Sequence, residues 1–286
     1  VVVAEEASFT RAAARVHVAQ PGVSAQIRRL ERELGQELLD RSGRGVRLTA
    51  AGAAVLPYAR AALRAVTGAR LAVDELTGLV RGHVAVGVAP SCPPLDLPAL
   101  LAEFRRDHPA VEITLSESGS GDLLEGLLAG TLDMALVWLR AAPPPTIEVQ
   151  VAVDEELVVA VGHDDPLATE TTVTLEAIRK RALVGLPKGA DLRCLVDEAY
   201  AAAGLRPRIA FETGDPRVLA ELTGQGLGVA IVPASLAEAH AASLRAITLA
   251  SPRPRRRIAL AWRAEGPGSP AARALVTHAR ATLPRL

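Results

Sequence analysis

The sequence predicts an α/β protein with an all-α, winged head at its N-terminal end. Three observations lead there. Residues 1–48 read as short helices joined by brief turns and closed by a glycine-rich hairpin. One long amphipathic run follows Thr49, and from Gly82 short apolar strands alternate with helices. Strands separated by helices of that length imply parallel sheets, and 286 residues suffice for about two domains.

Ser8 is a good N-cap for the alanine-dense helix 9–15. The turn Val18-Ala19-Gln20 then leads to Pro21, tolerated in a first helical turn because its missing N–H is not needed there. Val23, Ile27, Leu30 and Leu34 recur at 4, 3 and 4 residues and mark the inner face of the second helix, with Gly35 as its C-cap. Gln20, Ser24, Gln26, Arg28 and Arg32 occupy the other faces. Two short helices joined by a turn, the second polar and basic outside, form a helix-turn-helix signal. Residues 38–41 and 46–48 flank Ser42-Gly43-Arg44-Gly45, a hairpin with a basic tip, and so a wing.

Thr49 can cap the next helix, expected to run to about Leu79 with Pro57 early in it. Val55, Ala59, Ala62, Val66, Ala69, Val73 and Leu76 are spaced alternately 4 and 3, a coiled-coil seam that favours dimerisation. The alternative is one amphipathic helix packed on its own domain. In the body, strands are expected at 83–88, 111–116, 134–138, 156–161, 183–186, 208–212, 229–232 and 258–262. Helices are expected at 95–107, 122–129, 192–203, 217–224 and 271–283.

Composition narrows the function. The chain is 49% hydrophobic with mean hydropathy +0.23, enough for packed cores and against wholesale disorder. Its seven aromatic residues argue against a stacking platform or a carbohydrate groove. The net charge of zero is a sum of opposites. Residues 1–70 hold 11 basic and 6 acidic groups, the remainder 21 and 26. A head at +5 on a body at −5 is what a DNA-binding module on a non-binding domain would show. Arginine richness alone says little, because only Lys180 and Lys188 are lysines and 54 residues are alanine, a bias expected of the coding sequence.

Cys92 and Cys194 stand apart, which excludes a disulfide scaffold and suits a reducing cytoplasm. His17, His83, His108, His163, His240 and His278 show no metal-ligand spacing, so neither a metal nor a cofactor is expected. No apolar run reaches the roughly 18 residues of a transmembrane helix. The chain begins Val1-Val2-Val3 without methionine, so an earlier start is expected, and no signal-peptide pattern is visible. Gly224-Gln225-Gly226-Leu227-Gly228 follows a helix and precedes a strand, the reverse of a dinucleotide loop, and reads as a cap and turn. Arg253-Pro254-Arg255-Arg256-Arg257 reads as a solvated turn rather than a second DNA contact.

Residues 4–13, His17-Val18-Ala19-Gln20-Pro21-Gly22-Val23-Ser24, Gln26-Ile27-Arg28-Arg29-Leu30-Glu31 and Leu34-Gly35 strongly resemble the LysR-type transcriptional regulators. Arg41 and residues 46–52 continue the match, and Gly130-Thr131-Leu132-Asp133, residues 163–167 and residues 226–233 extend it over the body. The resemblance implies a winged helix-turn-helix at 1–49, a dimerising linker helix at 50–80 and an effector domain at 81–286. That domain would have the type II periplasmic-binding-protein fold, with Rossmann-like halves at 82–153 plus 257–286 and at 154–256. Family members begin earlier, so the resemblance implies a shortened first helix. Ala19, Ala25 and Leu39 depart from the residues common there.

In the second helix, Gln20 can pair with adenine, Ser24 with either member of a base pair, and Pro21 can touch a thymine methyl. Arg28 can read guanine or hold a phosphate. Arg11, Arg41, Arg44 and Arg47 are expected as phosphate anchors, though any one of them can equally be a solvated surface charge. The resemblance places Ser91, Ser120, Trp138 and the loop with Pro187 and Lys188 at the effector cleft, where Lys188 and Arg140 can meet a carboxylate. A small organic acid, aromatic or not, is the expected effector. The weighed alternative is that residues 118–121 only cap a helix. Cys92, at an expected helix N-terminus, has a minor claim to redox sensing.

The expected function is therefore a cytoplasmic, ligand-responsive regulator of transcription. It would bind double-stranded DNA as a homodimer or homotetramer, with RNA polymerase as a further partner. A solute-binding protein would share the body but lack the basic head, and no nucleophile–base set supports an enzyme.

Overall fold

The computed structural model describes residues 1–42, 45–75, 80–90 and 95–286. The head begins with helices α1 (Val2–Glu6), α2 (Phe9–Arg15) and α3 (Gln20–Leu34). Ser8 Oγ accepts the Arg11 N–H at 3.3 Å, the expected cap, and Gly35 ends α3 at φ 69°. Strands β1 (Leu39–Asp40) and β2 (Arg47–Leu48) pair antiparallel, Leu39 opposite Leu48, as the wing. Arg44, at its tip, lies outside the described residues.

The inner face of α3 is rotated from the one its leucines suggest. Val23 and Ile27 pack on Val3, Ala12 and Leu39, but Leu30 and Leu34 are 38% and 46% exposed. Ser24 and Glu31 are buried instead. Periodicity misreads the face because a carboxylate counts as polar until its partners are known. Glu31 Oε1 accepts the Leu38 and Leu39 N–H groups at 3.1 and 3.2 Å, and Oε2 meets Arg41 at 2.6 Å.

Helix α4 (Ala50–Glu75) is capped by Thr49, whose Oγ1 accepts the Gly52 N–H at 3.0 Å and donates to Glu37 O at 2.6 Å. A side chain at Gly52 would stand 2.0 Å from Leu38 O, so glycine lets α4 lie directly on the wing. Pro57 lies within the helix, whose expected last turn, 76–79, falls outside the described residues. The expected seam divides. Val55 and Ala59 line a small apolar cavity with Ile27, Leu30 and Leu48 of the head, while Ala62, Val66 and Ala69 face outward. Further along, Gly68 is buried where a Cβ would come within 2.1 Å of Gly268 O, so α4 runs against the body.

The body continues as β3 (Gly82–Val88), α5 (Leu97–Asp107), β4 (Val111–Glu117), α6 (Ser120–Ala129), β5 (Met134–Trp138) and β6 (Ile147–Gly162). A 3-10 turn at Pro166–Thr169 leads to β7 (Thr172–Val173), α7 (Leu175–Ile178), β8 (Leu183–Gly185), α8 (Asp191–Ala202), β9 (Ile209–Glu212) and α9 (Pro216–Gly224). Then come β10 (Ala230–Pro233), α10 (Ala234–Ala239), β11 (Leu244–Leu249), β12 (Arg255–Arg263) and α11 (Pro270–Thr282). Of these, α7, α10, β7 and β11 are not among the expected elements. They are short or exposed on one side, so their periodicity is weak.

The sheet is mixed rather than parallel. Strand order is β4-β3-β5-β12-β6-β11-β7, with β10 also on β6, and β8 pairs separately with β9. Only β3 with β4 and β5, β8 with β9, and β11 with β7 run parallel among the described strands. The 16-residue β6 is the reason. Its first part pairs antiparallel with β12, and its end pairs antiparallel with β10 and β11, so one strand serves both lobes of the body.

The sequence suggests a strand from 156 only, because Asp154-Glu155-Glu156 interrupts the apolar pattern. Those acids stand opposite Arg257, Arg256 and Arg255 of β12 in register. Cross-strand opposite charges stabilise such pairs. Arg255 meets Asp154 at 2.7 Å and Glu156 at 3.2 Å, and Arg256 is fully buried against Glu155. Arg255, Arg256 and Arg257 thus start a strand joining the lobes, while Arg253 and Pro254 stay in the loop before it, with Arg253 exposed.

Candidate DNA interface and effector cleft

On α3, Gln20, Pro21, Ala25, Gln26, Arg28 and Arg32 are exposed. Arg28, Arg32 and Ala25 border an open groove with Gln36. Such a helix presents polar and basic groups at the spacing a major groove admits. Ser24, expected to contact bases directly, is 9% exposed, and its Oγ accepts from Arg28 Nη2 at 3.2 Å. It therefore holds Arg28 in place.

The expected phosphate anchors differ among themselves. Arg47 is exposed at the wing, and Asp40 opposite it is held below the usual carboxylate range by the Ser42 hydroxyl and N–H. Arg41 is tied to Glu31 and lies 5.1 Å over the Phe9 ring. Arg11 bonds the Glu6 carbonyl and approaches its carboxylate at 3.4 Å while remaining 67% exposed. Glu31, which joins α3 to the wing, is the head residue that the reading of functional residues missed. Its signal was its place beside Ile27 on the buried face.

In the body, α6, the end of β5 and the loop into α8 carry the residues expected at the cleft. Ser120, the first residue of α6, is buried, and its hydroxyl both donates and accepts. Its Oγ donates to Asp191 Oδ2 at 2.7 Å and accepts the Trp138 N–H at 2.9 Å. The Ser120 N–H also points to Asp191 Oδ2, at 3.3 Å. Trp138 is buried, donates from Nε1 to Pro90 O at 3.2 Å and carries the Arg256 guanidinium 5.0 Å over its ring. Glu155 pairs with Arg256 and accepts the Ser235 N–H at 3.0 Å.

Arg140 is bound to Glu198 of α8, which holds its proton more firmly than usual. Pro187 is half-buried and Lys188 exposed. Arg193 fixes their loop: it is buried, donates to Leu186 O at 3.2 Å, and meets Asp197 and Glu212 at 3.0 and 3.1 Å. Ser91 and Cys92 lie outside the described residues. Cys194 is free and half-buried on α8. Among the described residues, no cluster of three His, Cys, Asp or Glu side chains suits a metal ion, and no helix is long and apolar enough to cross a membrane.

The structure bonds Ser120 to Trp138 and sets Ser120 and Arg140 against the same helix, α8, and each already has a partner. Asp191, Glu198, Arg256 and Glu155 were not foreseen. The spacing of Asp191 and Glu198, two helical turns apart, was the available sign for the first two.

The comparisons agree with this division of labour. The family model described as bacterial regulatory helix-turn-helix protein, lysR family, matches residues 1–53, and the LysR substrate binding domain matches 77–284. The Escherichia coli K12 protein named uncharacterized HTH-type transcriptional regulator YnfL is 34% identical over 281 residues, covering 97% of this chain and 94% of that protein. A full-length OxyR variant from Pseudomonas aeruginosa has a TM-score of 0.72 at 26% identity, over 98% of this chain and 91% of that one. Full-length CbnR in complex with its target DNA has a TM-score of 0.59 at 30% identity, over 98% and 96%.

A basic winged head on a two-lobed ligand-binding body defines a ligand-responsive, DNA-binding transcriptional regulator and not an enzyme. The chain belongs to the LysR-type transcriptional regulators.

Proposed function

We propose that this regulator reads operator DNA with Gln20, Pro21 and Arg28 of α3, and that Ser24 acts by positioning Arg28. Arg11, Arg41, Arg44 and Arg47 hold phosphates and fix the register. The observation that carries this reading is the exposed polar side of α3 standing beside a wing that Glu31 pins in place. Gel-shift titration on the DNA upstream of the protein's own gene tests it. Gln20→Ala should relax discrimination between operator variants, while Arg47→Ala should weaken all sequences alike and flatten the salt dependence. Uniform loss from Gln20→Ala removes the base-reading role.

The effector in this reading is a small organic acid held between the lobes 82–153 plus 257–286 and 154–256. The donors are Ser120, Ser91, Arg140 and Lys188, with Trp138 and Pro187 as apolar walls. The head takes 1–49 and the linker 50–80. Calorimetric titration with acetate, benzoate and succinate tests it; heat only from neutral ligands reverses it. Two copies pair along α4, where Val66 is 57% and Tyr58 77% exposed, and two such dimers can form a tetramer. Sedimentation of Val66→Glu should then show a lighter species. We place the protein in the cytoplasm, acting on RNA polymerase through the arrangement of its heads.

A further inference from the structure

Asp191 and Glu198 lie seven residues apart on α8, two turns along one face, and each meets a donor of the opposite lobe. Asp191 takes both the N–H and the hydroxyl of Ser120, and Glu198 takes Arg140. Cys194 lies between them on the same face. Arg193 binds α8 to its own lobe through Leu186 O in the preceding loop and Glu212 of β9.

We propose that α8 is an inter-lobe latch, in which Asp191 on Ser120 and Glu198 on Arg140 hold the two lobes together in the absence of ligand. This rests on the reading of the cleft as the effector site and adds its regulation. Ser120 has no donor left for a carboxylate, since its hydroxyl and its N–H both go to Asp191. An incoming carboxylate that takes Ser120 must displace Asp191, and at Arg140 it competes with Glu198. Displacement frees the face of α8, and with it the lobe that Arg193 ties to that helix. The latch thus sets the concentration at which an acid takes effect, and it couples binding to movement of one lobe against the other. A ligand can shift such an equilibrium only by its difference in affinity for the two states, and competition with Asp191 supplies that difference.

Hydrogen exchange on the full-length protein tests the latch without any ligand. Asp191→Ala should speed exchange of the Ser120 and Trp138 amides by roughly tenfold or more, the loss expected of a charge-assisted hydrogen bond. The Leu260 amide in the central strand β12 serves as the control for global unfolding. Unchanged exchange at Ser120 and Trp138 overturns the latch. If Leu260 also speeds up, Glu198→Gln at the exposed rim replaces Asp191→Ala. A smaller rise confined to the same two amides then supports the latch, and no rise overturns it.

Calorimetry with acetate, benzoate and succinate is run on the same variants. Local exchange that rises together with tighter acid binding supports both ideas. A local rise with no acid binding to either form supports the latch and removes the organic-acid reading. Exchange that rises while acids bind with unchanged affinity keeps the latch as a tie between the lobes and overturns its competition with the effector.

Discussion

Head and body each rest on a helical carboxylate, and the two carboxylates are set in opposite surroundings. Glu31 on α3 is buried and reaches two backbone N–H groups and Arg41, all within the head. Asp191 on α8 reaches Ser120 across the boundary between lobes, and its companion Glu198 is 54% exposed. The head's apolar cluster of Val3, Ala12 and Leu39 shares Leu39 with the Glu31 hydrogen bonds. Exposed ion pairs contribute little, whereas breaking a buried one leaves an uncompensated charge and costs much more. Similar chemistry therefore makes one unit rigid and another switchable, according to burial and to what else crosses the boundary.

The largest effect should come from Glu31→Ala. It strands the buried Leu38 and Leu39 N–H groups and frees Arg41 from α3, and should destabilise the head by about 3 kcal/mol. Thermal denaturation and loss of DNA binding would show it together. A head that melts normally would remove the contrast with Asp191.

Asp165 offers the same test inside the second lobe, where its side chain is 6% exposed and bonded to Arg181. Burial alone would raise its pKa, but Arg181 and the Leu167 N–H outweigh it and hold the carboxyl below its ordinary range. A lowered folded pKa contributes stability that is whole above the unfolded value of about 3.9 and is lost as pH falls through the lower, folded one. Asp165→Asn should therefore cost about 2 kcal/mol at neutral pH, and the gap in urea midpoint from the parent should close below the folded pKa. A gap independent of pH would assign the cost to packing.

Asp191→Ala should change global stability by only about 1 kcal/mol, far less than Glu31→Ala, while moving the local exchange described above. Equal losses from the two variants would mean that the latch is part of the body's core.

Tyr200 marks the small end of the scale. It is buried, its hydroxyl has no hydrogen-bond partner among the described residues, and burial pushes its pKa up to about 12. Tyr200→Phe removes a polar atom that no described residue satisfies, so stability should be unchanged or rise slightly. A clear loss in the urea midpoint would point to a bound water or another acceptor.

Much of the fold was legible locally. Ser8, Gly35 and Thr49 cap the elements where their chemistry requires, the wing follows its glycines, and β5 falls on the all-apolar run 134–138. The split of charge between head and body also needed only addition. The candidate site was less legible. Ser120, Trp138 and Arg140 were named, but their partners were not, because Asp191 lies 71 residues from Ser120 and Glu198 lies 58 from Arg140.

By itself, then, the sequence determined most of the helices and strands, the split of charge along the chain, and the family to which it belongs. Those properties depend on neighbours a few residues apart. Only the tertiary structure decided which charges are buried. Glu31, Arg193 and Arg256 all look like surface residues in the chain, and all three are buried. Each is held inward by partners that strand register and helix packing bring from elsewhere in the sequence, 101 residues away for Arg256 and Glu155. A charge can leave water only when such partners replace the water it gives up, and that condition exists only in the folded molecule.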